Sequence, residues 1–270
     1  MKRIFYGALL SAVSFSAMAD PYSYQAEIGG RYNYTDGVFD DDDSYSVYGS
    51  YYFSPVQLKN HAYAEAAFLE RASSVTLGGT FADNSFTAYN VCAASSCSTV
   101  PKNLQSQNYS LSTRGYVLDS IIYASATYNY HDHKIEYSNG QSHSGSDTHW
   151  SAQLGVAPLE GWLLTTGFSE DSALFEDGWN VHSKYVGELT NGRAYNLEAG
   201  YADWDNGDSS WTVGGDFYFT RAVSVGGTVG EDDVYSLRAQ SFFTPNVSLS
   251  VNLMNSEYAD SYSVGLTARF

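Results

Sequence analysis

Tyr262-Ser263-Val264-Gly265-Leu266-Thr267-Ala268-Arg269-Phe270 closes the chain in strict alternation. Successive side chains of an extended strand point to opposite sides. Tyr262, Val264, Leu266, Ala268 and Phe270 therefore share one face, and Ser263, Gly265, Thr267 and Arg269 the other. The segment before it repeats the pattern, with Val247, Leu249, Val251 and Leu253 set against Ser248, Ser250 and Asn252. Near the other end, Tyr22, Tyr24, Ala26, Ile28, Gly30 and Tyr32 oppose Gln25, Glu27, Gly29, Arg31 and Asn33. A period of two marks a strand whose faces meet different surroundings.

Carried outward, this reading places strands near 22–34, 44–53, 62–81, 106–118, 121–130, 148–157, 162–169, 179–189, 193–202, 210–219, 222–230, 234–243, 247–254 and 262–270. They predict an all-β chain: an antiparallel, up-and-down transmembrane β-barrel of fourteen strands, with twelve and sixteen the adjacent even counts. The connections alternate in kind. Short ones include Asp119-Ser120, Pro158 to Gly161, Thr190-Asn191-Gly192, Thr220-Arg221 and Thr244-Pro245-Asn246, and Asn-Gly is a strong hairpin signal. The longer ones, 35–43, 82–105, 131–147, 170–178, 203–209, 231–233 and 255–261, hold most of the acidic residues, including the run Asp40 to Asp43. Tight turns on one side and long loops on the other suit an outer-membrane barrel. Residues 62–73 are ambiguous, because their alanines and glutamates also have good helix propensity. Periodicity favours a strand there over a short helix in a periplasmic connection.

Compartment is read from the start of the chain. Lys2 and Arg3, a short apolar run from Ile4 to Val13, and the Ala17-Met18-Ala19 pattern predict a secretory signal peptide over 1–19 and a barrel domain over 20–270. The apolar run is too short to cross a bilayer as a helix. Charged residues make up 16% of the chain, against ~25% in ordinary soluble domains. Tyrosine (24) and glycine (24) are abundant. The net charge of −17 argues against nucleic acid as a partner, since phosphates demand basic patches.

A sheet crosses a bilayer only when closed, because every backbone donor and acceptor needs a partner within the protein. The apolar faces then meet lipid, with Tyr24, Tyr51, Trp150, Trp162, Trp179, Trp211, Tyr235 and Tyr262 expected in the aromatic girdles. The polar faces meet an aqueous lumen. Glu27, Arg31, Glu65, Arg114, Lys184, Glu188, Glu198, Asp216, Arg238 and Arg269 are the expected pore-lining residues, because ions without partners are too costly in an oily core. Fourteen strands exceed the eight whose interior side chains fill. A conduit for small hydrophilic solutes or ions follows.

The terminal Tyr262-x-Val264-x-Leu266-x-Ala268-x-Phe270 resembles the signal that the barrel-assembly machinery reads in outer-membrane proteins. Tyr51-Tyr52-Phe53-Ser54-Pro55-Val56, followed by Ala64 to Ser73, is similar to a family of gammaproteobacterial porins of this length. Length and strand count are also similar to monomeric fourteen-stranded pores. The resemblance implies a porin-like barrel in the outer membrane of a Gram-negative bacterium and supplies no functional residues to carry over. Expected partners are outer-membrane lipid, lipopolysaccharide and the assembly machinery, with the barrel a monomer or a homo-oligomer.

Cys92 and Cys97, the only cysteines, are expected to form a disulfide in an oxidising compartment. The surrounding loop, 82–105, is the candidate to fold across the mouth. His131, Asp132 and His133, with His143 and His149, could in principle bind a transition metal, but solvated loop histidines are commoner, and no metal or cofactor is expected. No Gly-x-Ser-x-Gly elbow is present, and the chain is not expected to be an enzyme. A structural or adhesive barrel, or an outer-membrane hydrolase, are the competing readings.

Overall fold

The computed structural model describes residues 22–37, 41–85, 92–93, 96–97, 101–117, 120–170, 177–205, 209–257 and 259–270. The predicted signal peptide lies outside them. The strands in chain order are β1 (Ser23–Gly37), β2 (Asp41–Gln57), β3 (Ser74–Ser85), β4 (Cys92–Ala93), β5 (Ser96–Cys97), β6 (Pro101–Tyr116), β7 (Ile122–Tyr137) and β8 (Ser142–Leu159). They continue as β9 (Trp162–Ser169), β10 (Gly178–Glu188), β11 (Ala194–Trp204), β12 (Ser209–Thr220), β13 (Val223–Gly230), β14 (Tyr235–Thr244), β15 (Val247–Asn255) and β16 (Ala259–Arg269). Leaving out the small β4–β5 pair, 14 strands run antiparallel to their neighbours and close into a barrel. The seam joins β1 to β16, with Ile28 opposite Ala268 and Tyr32 opposite Val264. Closure leaves no sheet edge for lipid to meet.

The two faces are physically distinct. Along β9 burial alternates residue by residue: Trp162, Leu164 and Phe168 are exposed, while Leu163 and Thr165 are buried. The outer wall carries Leu77, Leu111, Leu154, Leu197, Val213, Leu237 and Val264, each at least 47% exposed. So much apolar surface on a folded chain requires an apolar solvent. Of the aromatics expected in the girdles, Tyr51, Trp150, Trp162, Trp179, Trp211, Tyr235 and Tyr262 are exposed.

Tyr24 is the exception, at 3% exposure, and corrects the sequence reading. At the start of β1 the amides of Gln25 and Ala26 both donate to the Phe270 carbonyl, and this bulge, with the register shift between Tyr24 and Ala26, reverses the parity of the strand at its first residues. A bulge of this kind puts two residues of one strand opposite one of its partner. Tyr24 consequently turns inward and packs edge-on against Tyr52 at 5.4 Å. Similar shifts occur at Val156/Leu159, Tyr218/Thr220 and Phe242/Thr244, each at the end of the barrel with the tight turns. Pro158 sits inside the first of these, where no ladder donor is required.

The tight turns form as predicted. Asn191 (φ 63°) and Gly192 (φ 70°) both take left-handed conformations between β10 and β11, as an Asn-Gly hairpin demands. At the opposite end, much of what reads as loop is strand. β7 runs to Tyr137 and β8 resumes at Ser142, so His131, His133 and His143 lie on paired strands rather than in a 131–147 loop. Of the expected loop 82–105, residues 82–85 and 101–105 are strand, in β3 and β6, while 86–91, 94–95 and 98–100 lie outside the described residues, and so does the expected fold across the mouth.

The largest departure is residues 62–73. They are not a strand. β2 ends at Gln57 and β3 begins at Ser74, and between them the chain makes one helical turn, α1 (Ala66–Leu69). A helix of four residues cannot hold itself. Its stability comes from the barrel wall, which it touches on several sides. Ala66 is fully buried against Tyr24, Tyr52, Val56 and Leu58, while Ala62 packs against Ala194 and Tyr218. The alternation that suggested a strand is instead a run of alanines small enough for a backbone to lie close against the wall.

Candidate functional site: the barrel interior

The connection 58–73 turns into the lumen at the tight-turn end. Its contacts run around the circumference and include β2 through Val56, β8 through a hydrogen bond from Arg71 to the Ala157 carbonyl (3.2 Å), β10 through Lys184, β11 through Asn196, β12 through Tyr218, β14 through Phe242, and β16 through Arg269. Arg221 fastens its beginning, donating to the carbonyls of Leu58, Lys59 and His61. The Tyr63 amide donates back to the Arg221 carbonyl at 2.8 Å. Only a segment crossing the interior could reach so many strands.

Glu65, just before α1, is the centre of the interior. It is 4% exposed and accepts from the Lys184 ammonium (2.9 Å), the Tyr218 hydroxyl (2.6 Å) and the Asn196 amide (3.2 Å). A buried carboxylate is tolerable only when neutralised and hydrogen-bonded in this way. Lys184 also reaches Glu198 at 3.3 Å and sits over the Phe68 ring at 5.0 Å. Asn196 bridges Glu65, Glu198 and Asp216. Asp216 in turn takes a two-pronged grip from Arg238, both contacts at 2.7 Å, the planar fork that arginine provides. Five of the sequence-predicted residues thus form one network, although Glu65 enters it from the inserted segment and not from a strand.

Glu27 and Arg269 form a second centre, at 2.6 Å across the seam. Arg269 donates onward to the Tyr63 carbonyl (2.8 Å), and its guanidinium lies between the rings of Tyr24 (4.6 Å) and Phe242 (4.8 Å). Tyr48 adds a hydroxyl to Glu27 at 2.9 Å. Glu188 belongs to a third. Its carboxylate meets His61 Nδ1 at 2.7 Å, while His61 Nε2 meets Glu70 at 2.9 Å and Lys59 caps Glu70 at 2.6 Å. Arg31 and Arg114 join none of these pairs: among the described residues no carboxylate lies within 4.0 Å of either. Between the inserted segment and the wall a cavity of about 360 Å³ remains, reached by Arg114, Gln153, Thr165 and His182.

Sequence reasoning missed the groups contributed by the insertion and by the residues that receive it: His61, Tyr63, Glu70, Arg71, Asn196, Tyr218 and Arg221. The helix propensity of 62–73 was the available signal. On β7, the His131 and His133 rings stack 5.7 Å apart. Among the described residues no group of three or more histidines, cysteines or acids is placed to hold a metal ion. Cys92 and Cys97 face each other in the β4–β5 ladder.

A closed barrel of fourteen strands, apolar outside and ion-paired within, is an outer-membrane β-barrel of the pore-forming class, its tight turns on the periplasmic side. Residues 1–270 match the family described as "Putative general bacterial porin", and the chain belongs to that family. It is similar in fold to the outer membrane protein Omp33 of Acinetobacter baumannii, with 23% identity, a TM-score of 0.69, and coverage of 93% of this chain and 100% of that one. The CymD monoaromatic hydrocarbon channel is similar at 8% identity and a TM-score of 0.60, covering 98% of this chain and 92% of that one. No curated protein matches the chain.

Proposed function

We propose that the protein is a narrow passive channel for small hydrophilic solutes or ions in the outer membrane, throttled on the periplasmic side by residues 58–73. The reading rests chiefly on one observation: the ionisable side chains of the strands gather on the inward face, around a segment that fills part of the bore and leaves a cavity beside it. An interior kept polar along its length is what an aqueous path requires, and an apolar filling would serve a purely structural barrel better. Glu27, Arg31, Glu65, Arg114, Lys184, Glu188, Glu198, Asp216, Arg238 and Arg269 are the residues we assign to the lining. Solutes meet Arg31 and Arg114 directly, and the others chiefly brace the inserted segment. The role needs no catalytic group or cofactor.

We further assign a signal peptide to residues 1–19, an assembly signal to Tyr262, Val264, Leu266 and Phe270, and a disulfide to Cys92–Cys97, which the facing register favours. Lipid and lipopolysaccharide surround the wall, and the barrel-assembly machinery inserts it. Purified protein added to a planar bilayer should give small, discrete conductance steps. A membrane that stays silent at every voltage would overturn the channel reading in favour of a structural barrel, sealed by the same inserted segment.

A further inference from the structure

The cavity beside the inserted segment is unevenly charged. Glu27, Glu65, Arg114, His182, Lys184 and Arg269 all reach it. Both carboxylates there are neutralised at contact distance, Glu27 by Arg269 at 2.6 Å and Glu65 by Lys184 at 2.9 Å. Just beyond, Glu198 is shared with Lys184 and Asp216 is held twice by Arg238. Among the described residues Arg114 has no such partner. Its Nε donates to the neutral Ser74 hydroxyl, at 3.3 Å, its other hydrogen-bond neighbour is the neutral Tyr52 side chain, and the residue is exposed. Arg71 on the inserted segment is similar, spending one hydrogen bond on the Ala157 carbonyl while stacking 5.6 Å over Tyr116. Arg114 and Tyr116 stand two residues apart on β6, so the two guanidinium groups flank one stretch of the wall.

A cation without a counter-ion, in a narrow bore with walls of low dielectric constant, attracts a mobile anion to the place where its own carboxylate would have been. The carboxylates nearby do not balance it: Glu65, Glu198 and Asp216 share two bases, Lys184 and Arg238, so that network keeps one negative charge, which Arg114 and Arg71 together outweigh. The acidic residues of the opposite end, Asp36, Asp42 and Asp43 among them, stand at the far ends of β1 and β2. Salt screens such charges within about 8 Å under physiological conditions. We propose that Arg114, supported by Arg71, makes the narrow part of this channel selective for small anions, against the sign of the whole chain. This rests on the channel reading above, and it names the residue that sets selectivity.

The test is the zero-current potential of the full-length barrel in a planar bilayer under a potassium chloride gradient. The wild-type protein should prefer chloride, and Arg114→Ser should lower the chloride-to-potassium permeability ratio at least about twofold. Arg114→Lys keeps the charge and should keep the ratio. The heat-dependent gel mobility of each variant establishes that its barrel is folded. Arg31→Ser, outside the cavity that Arg114 reaches, should move the ratio less. A conducting wild type that prefers potassium, or an Arg114→Ser barrel with an unchanged ratio, overturns the selectivity assignment and leaves the channel reading standing. A silent membrane overturns both.

Discussion

Arg269, the last residue of β16, lies directly opposite Glu27 of β1 and binds it at 2.6 Å across the seam where the barrel closes. The same guanidinium donates to the Tyr63 carbonyl of the inserted segment. One side chain therefore ties barrel closure to the seating of the constriction. Arg269 is only 7% exposed, so removing it strands a buried carboxylate. Breaking a buried pair from one side typically costs about 3–5 kcal/mol, while removing both partners costs far less. Arg269→Met should markedly lower the temperature at which the barrel loses its fast gel mobility. The Glu27→Leu/Arg269→Met double variant should recover much of the loss.

Glu65 is the joint between the inserted segment and β10, β11 and β12. Glu65→Ala removes three contacts at once and leaves Lys184 with Glu198 alone. The segment should loosen, and single-channel records should become noisier with a higher mean conductance. Replacing residues 60–72 with a short glycine-serine linker should raise conductance several-fold with the barrel intact. A deletion that conducts no better than the parent would show that the segment does not limit flow.

The pH dependence follows from Glu70. Burial pushes its carboxyl up, but the hydrogen bonds and charges of Lys59 and His61 outweigh burial and hold it below the ordinary value. A carboxyl that is more acidic in the folded chain stabilises the fold at pH above its unfolded value, near 4.3, and loses that contribution as pH falls through the folded value. The part of the His61 clamp that Glu70 supplies should therefore persist while that carboxyl stays ionised. It should fail below a pH of about 4, where channel noise should rise reversibly. Glu70→Gln should be noisy already at neutral pH and respond little to acid.

Much of the barrel was legible because a closed transmembrane sheet writes its two solvents into alternate residues. The run from Tyr262 to Gly265 and the Leu237/Arg238/Ala239/Gln240 stretch carry that pattern undisturbed, whereas Ala268, read as facing lipid, is buried beside Arg269. Two features were not legible for physical reasons. The bulge beside Tyr24 inserts one residue and reverses parity over a span too short for periodicity to register. The segment 62–73 obtains its structure from the wall around it, so its alanines satisfy a strand pattern and a helix pattern alike. The interior pairs were partly readable as a set of inward ions, yet which partner each finds depends on that same insertion.

Two glycines in the tight turns differ in what they tolerate. Gly161 has φ +73°, and a Cβ there would sit 2.3 Å from the Val186 carbonyl oxygen. At Gly192, φ +70°, the nearest atom is the flexible Arg221 Cγ at 3.1 Å. Gly192→Ala should cost about 1 kcal/mol, the strain of a left-handed alanine. Gly161→Ala should cost distinctly more, because backbone must also move. Thermal unfolding of the two variants in detergent ranks them, and equal losses would contradict the close approach.

The central claim is that adjacent residues of one strand face different solvents. Single cysteines at Leu237, Arg238, Ala239 and Gln240 of β14, in a background lacking Cys92 and Cys97, test it in reconstituted membranes. Positions 238 and 240 should react with a charged, membrane-impermeant thiol reagent. Positions 237 and 239 should resist it and, once fluorescently labelled, be quenched from the lipid phase. Uniform reactivity along the strand, or the opposite alternation, would contradict the account.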